Sequence, residues 1–113
     1  MKILHLGYSD KSGGASIAMM RLHKSLKELG VQSNVLVGEK NTKDYDIFGP
    51  ETSLEKKVNN LKIKLARQKK YFYRHNGKYS HSLNIFSSKI IKKINKIKPD
   101  ILNLHWVNNE LIS

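Results

Sequence analysis

Two short stretches of this 113-residue chain bring together residue types suited to chemistry. The first is Gly13-Gly14, where a polar loop running from Gly7 to Ala15 gives way to a helical pattern. Adjacent glycines at a helix start let a ligand come close to the backbone. The N–H groups of the first turn, with the helix dipole, favour an anion there. The second is His105-Trp106-Val107-Asn108, directly after the apolar run Ile101-Leu102-Asn103-Leu104. A histidine at a strand end can bond a ligand hydroxyl or carry a proton near neutral pH. Each stretch also has a plainer reading: the glycines as a flexible turn, the histidine as a side chain satisfied by nearby backbone.

Several chemistries are excluded. Gly7, Gly13 and Gly14 do not make the G-x-G-x-x-G dinucleotide fingerprint, and no P-loop pattern is present. Ser9, Ser12 and Ser16 lie near the glycine loop, but no G-x-S-x-G elbow surrounds a serine. His5, His23, His75 and His81 show no metal-ligand spacing and read as structural or surface residues. The absence of cysteine removes disulfides, cysteine nucleophiles and cysteine-ligated metals, and it fits a reducing compartment. Neither a metal nor a bound cofactor is expected.

The elements that must position these residues follow from periodicity. Residues 2–7 read as a buried strand. A helix is predicted over 14–29, with Ala15, Ala18, Met19, Leu22, Leu26 and Leu29 as its apolar stripe and Gly30 as its stop. A second strand covers 31–38, centred on Val35-Leu36-Val37, and Ile47-Phe48 is a candidate short strand. Thr52 and Glu55 form a capping box for a helix carrying Leu54, Val58, Leu61, Leu65 and Phe72. A third helix spans about 87–97 and stops before Pro99. Residues 101–105 form a last strand. Strand, glycine loop, helix and strand within 40 residues make a βαβ unit. The expected fold is therefore α/β, a Rossmann-like parallel sheet with flanking helices in one domain. Both chemical stretches then fall at the carboxyl ends of strands, where such sheets bind ligands.

The formal net charge is +12, and it is unevenly spread. Residues 51–98 hold 14 of the 21 basic residues and two of the nine acids. The helix from residue 54 onward is basic and amphipathic, so an anionic membrane surface docking on residues 54–72 is one expectation. A nucleic-acid partner is a weaker one, resting on Tyr71, Phe72 and Tyr73 beside lysines, because no nucleic-acid motif accompanies them. A plain lysine-rich solvated surface is the third. No run is long enough to cross a membrane, and the N-terminus has no signal-peptide pattern. A cytoplasmic location is expected, with the inner face of the plasma membrane as an alternative.

Taken together, certain residues resemble a known family. Met1-Lys2-Ile3-Leu4-His5-Leu6 leads to Ser12-Gly13-Gly14-Ala15. Arg21-Leu22-His23-Lys24-Ser25-Leu26 follows, then Leu29-Gly30-Val31-Gln32-Ser33 and the Val35-Leu36-Val37 strand. Lys98-Pro99-Asp100-Ile101-Leu102-Asn103-Leu104-His105-Trp106-Val107-Asn108 completes the pattern. The chain resembles the N-terminal part of a family 4 glycosyltransferase of the GT-B class, of the type that builds bacterial surface polysaccharides such as lipopolysaccharide. The resemblance covers about residues 1–38 and 82–113. It implies transfer of a sugar from a nucleotide-sugar donor to a glycan or lipid-linked acceptor, with retention and without a bound metal. It implies that Gly13 and Gly14 face donor phosphates and acceptor, that His105 contacts the transferred sugar, and that Trp106 and Asn108 are substrate-binding neighbours. The family's C-terminal nucleotide-sugar domain has no counterpart in residues 1–113. The expected unit is thus an incomplete N-terminal, acceptor-side half, inactive by itself. The alternative is a basic membrane-surface or acceptor-binding module without catalysis.

Overall fold

The computed structural model describes residues 1–50, 53–70 and 89–107, without side chains at 66, 67, 69 and 70. Its elements are β1 (Lys2–Ser9), α1 (Gly14–Glu28), β2 (Gln32–Glu39), β3 (Ile47–Phe48), α2 (Ser53–Lys70), α3 (Ile90–Ile97) and β4 (Ile101–Leu104). The four strands form one sheet in the order β3-β2-β1-β4. Every pairing is parallel: β1 with β2 from Lys2 opposite Gln32, β1 with β4 from Ile3 opposite Ile101, and β2 with β3 at Val35 opposite Ile47. The fold is α/β and Rossmann-like, as the βαβ pattern predicts.

Parallel strands are covered on both faces, so their sequences run apolar rather than alternating. Ile3-Leu4-His5-Leu6 and Val35-Leu36-Val37 follow that rule and are buried. One face packs Leu4, Leu6 and Leu36 against Ile90, Ile94 and Ile97 of α3. The other packs Val35, Val37 and Ile47 against Met19 and Met20 of α1.

The helix ends have local causes. Gly30 stands at φ 78°, a left-handed conformation cheap only for glycine. Its N–H donates to the Lys27 carbonyl and that of Val31 to the Leu26 carbonyl, both at 2.9 Å, which closes α1 in a Schellman motif. At the end of α3, Lys98 takes the left-handed conformation and donates its N–H to the Ile94 carbonyl at 2.9 Å. Pro99 disfavours the right-handed helical region at the residue before it, so the helix stops there.

One reading changes. The inner face of α1 is Ser16, Met19 and His23, while Leu22 and Leu29 are exposed. A stripe counted from apolar residues misses a face whose buried members are partly polar. The capping-box residue Thr52, together with Phe72 and the beginning of the third helix at 87–88, lies outside the described residues. Within them, no helix is long and apolar enough to cross a membrane.

Candidate functional site at the carboxyl end of the sheet

From β1 the chain steps outward through β2 to β3, then returns to add β4 on the opposite side of β1. The strand order therefore reverses between β1 and β4. Open parallel sheets form a ligand crevice at such a switch point, outside the strand carboxyl ends. The loop carrying Gly13-Gly14 leaves β1 there, and His105 follows β4 there. The two candidate stretches thus flank one crevice. Gly7 connects them. A Cβ built on Gly7 would lie 2.8 Å from Met19 Sδ of α1 and 3.9 Å from the Cβ of His105. The missing side chain leaves room for the end of the Met19 side chain against β1, while the end of β4 stands at ordinary contact distance.

His105 is held at both ends. Its backbone N–H donates to the Leu6 carbonyl at 2.8 Å, so it stays anchored to β1 beyond the last ladder residue. Its ring Nε2 lies 3.2 Å from Nδ1 of His5. His5 is fully buried on β1, opposite Asn103 of β4, whose Nδ2 reaches the same Nδ1 at 3.5 Å. Burial lowers the His5 pKa to about 4, helped by the neighbouring His105 and His23 rings. Burial lowers His105 as well. Both rings are accordingly neutral at pH 7. A neutral His105 can accept a proton or share a hydrogen bond.

The row continues inward. The His5 and His23 rings meet nearly edge-on, with centroids 6.2 Å apart. His23 Nδ1 is 2.8 Å from Ser33 Oγ of β2, and its Nε2 is 3.4 Å from the Asp46 carboxylate. Lys27 also donates to Asp46. Burial lowers the His23 pKa against the opposing pull of Asp46. His5 and His23 are thus neither surface residues nor isolated ones: with His105 they form a row through one face of the sheet. The sequence signal was faint. His5 sits in the middle of an apolar strand, and His23 lies four residues after Met19 on the same helix face. The His5 ring neighbours both of the others, with centroids 5.4 Å from His105 and 6.2 Å from His23, and among the described residues no group of three or more His or carboxylate side chains could hold a metal ion.

The glycine loop is built from its base. Ser9 Oγ accepts the backbone N–H groups of Lys11 and Ser12, each at 3.3 Å, and turns the chain at the end of β1. Asp10 is buried, and its carboxylate accepts from the backbone N–H of Asn41 at 2.9 Å and of Thr42 at 2.8 Å, and from Thr42 Oγ1 at 2.6 Å. Burial alone would raise the Asp10 pKa. The bonds from Thr42 and Asn41 outweigh it and hold the carboxyl below its usual value. This ties the loop after β1 to the loop after β2. Gly13 stands at φ 91° and ψ 158°, a region open to glycine alone, and serves as the N-cap of α1 with no side-chain cap bond. A Cβ on Gly14 would meet nothing within 4 Å. No packing within the described chain requires a glycine at that position, and a close-approaching ligand would.

Trp106 lies half-exposed, its ring 6.0 Å from that of Tyr8 at 68°, and its carbonyl accepts the Tyr8 N–H at 3.1 Å. It stands at the crevice end of the sheet and presents an aromatic surface to solvent. Asn108, His75 and His81 lie outside the described residues.

Comparison with known proteins adds no relative: no family model, no curated protein and no solved structure matches the chain.

Proposed function

We infer that this chain is the acceptor-side portion of a retaining glycosyltransferase, working with a nucleotide-sugar donor and a glycan or lipid-linked acceptor. The observation that carries the reading is the convergence of the uncapped Gly13-Gly14 helix start and the neutral His105 at one topological switch point. The glycine loop offers backbone N–H groups to a phosphate, and His105 offers a ring nitrogen to a sugar hydroxyl. Trp106 adds an aromatic surface on which a sugar ring can rest. Glycosyl transfer needs donor and acceptor held against one another, and a single wall of a crevice does not provide that. The chain alone is therefore a binding half that meets the donor's phosphate and sugar, and a second domain would supply the remaining donor contacts.

The test uses UDP-glucose as the probe. The purified chain should bind it weakly, lose that binding several-fold in His105→Ala and Gly14→Ala, and show no turnover. Turnover at ordinary enzyme rates would contradict the half-site reading. Binding indifferent to both substitutions would contradict the site.

A second reading concerns α2. Leu54, Val58, Leu61 and Leu65 are all exposed on a helix that also carries Lys56, Lys57, Lys62 and Lys64. An apolar stripe beside lysines fits docking on an anionic lipid surface, to which each basic residue adds about 1 kcal/mol. A cytoplasmic enzyme acting on lipid-linked acceptors would use such a face at the inner membrane surface. Sedimentation with phosphatidylglycerol vesicles tests it. Equal sedimentation with phosphatidylcholine would remove it.

A further inference from the structure

We propose that His5 is a positioning residue for His105: it holds His105 in the tautomer protonated on Nε2 and so presents Nδ1 to the crevice as a proton acceptor. Three neighbouring nitrogens set the tautomer. Asn103 Nδ2 can only donate, and it lies 3.5 Å from His5 Nδ1. A proton on that Nδ1 would face the amide hydrogens, so the lone pair stays there and His5 carries its proton on Nε2. That nitrogen has a single lone pair, and His105 Nε2, the closer neighbour at 3.2 Å, can share it with the amide only by donating. The single proton of the neutral His105 ring is thereby committed to Nε2, and its Nδ1 is left with a lone pair.

The surroundings agree. Among the described residues His5 Nε2 is buried without a hydrogen-bond partner, so a proton held there goes unbonded, a cost that the two donors meeting Nδ1 outweigh. Burial keeps both imidazoles neutral at pH 7, so each ring has one proton to place. Asn103 and His105 are two residues apart in an extended segment and share a face with His5, whose partner in the ladder is Asn103. The alternation of the strand therefore builds the alignment. The consequence is chemical selectivity. A group meeting Nδ1 of His105 must bring its own proton, as a hydroxyl does, whereas a carboxylate or phosphate oxygen is repelled by the lone pair. The arrangement deepens the proposed function and rests on His105 facing the ligand.

The experiment reads tautomers directly, by long-range proton–nitrogen correlation NMR of the nitrogen-15-labelled chain at pH 7.5 without ligand. The expected spectrum shows His105 with a protonated Nε2 and an unprotonated Nδ1, and His5 likewise. His5→Asn, whose side-chain oxygen can stand where Nδ1 stood, should keep the His105 pattern. His5→Leu should lose the single tautomer and give a mixture. Asn103→Leu, which leaves His5 in place, should release His5 and change both rings. A wild-type His105 protonated on Nδ1 would overturn the proposal, and so would His105 tautomers unmoved by both leucine variants. Because no ligand is present, failure to bind UDP-glucose leaves this result standing, and a wrong tautomer leaves the glycosyltransferase reading untouched.

Discussion

A neutral imidazole sealed beneath a sheet takes up a proton when the chain unfolds in acid. His5 has a folded pKa of about 4 against an ordinary value of 6.5. Between those values the unfolded chain binds the extra proton and the folded one does not. Stability is therefore full above pH 6.5 and falls as pH drops toward 4. His23 shifts in the same direction, so it steepens the fall, whereas Asp10 and Asp46, held low by their bonds to Thr42, Asn41 and Lys27, lose stability only further into acid. The His5 share is about 3 kcal/mol. Urea denaturation at pH 7.5 and pH 4.5 should show the loss, and His5→Gln should remove much of the slope. The two glycines make a second residue-scale test. Gly13→Ala forces a side chain into a glycine-only conformation and should cost about 1–3 kcal/mol. Gly14→Ala meets open space and should leave stability unchanged or raise it by up to about 1 kcal/mol. If Gly14→Ala destabilised the chain strongly, its glycine would have a structural explanation and lose its value as a ligand signal.

At the scale of elements, strands and helix ends were legible because they rest on local rules. An apolar run between turn residues makes a parallel strand, glycine makes a left-handed stop, and a residue before proline leaves the helix. Which face of α1 points inward was not legible. That choice depends on His23 meeting Ser33 and Asp46, two partners from different strands and loops, and on Ser16 bonding the Ser12 carbonyl at 2.7 Å. The histidine row was hidden for the same reason: His5 and His105 stand 100 positions apart in sequence. The packing of α1 on β1 carries its own test. Gly7→Ala pushes a methyl against Met19 and should cost about 1–3 kcal/mol, because added volume in a filled core forces side chains off their rotamers. A chemical denaturation midpoint unchanged from wild type would mean that the Met19 side chain swings aside and that the core there is not tightly filled.

Among the described residues, β4 is an edge strand of the sheet, and Ile101 on one face and Leu102 and Leu104 on the other are all exposed. A strand with apolar residues on both faces is patterned for the interior of a parallel sheet, and an open edge of this kind invites pairing. The isolated chain should self-associate at micromolar concentration, and Leu104→Lys should reduce that association at least several-fold in sedimentation velocity. A chain that stays monomeric would mean that β4 needs no covering, which would weaken the half-site reading. β4 also forms one wall of the crevice, so a partner paired to that edge would stand beside the site.

The most direct test of that site is a map of amide resonances of the chain as UDP-glucose is added. Gly13, Gly14, Ala15 and His105 should shift together and saturably, and α2 should not. Shifts confined to the lysines of α2, abolished by moderate salt, would contradict the site and reduce the chain to a basic surface that attracts anions.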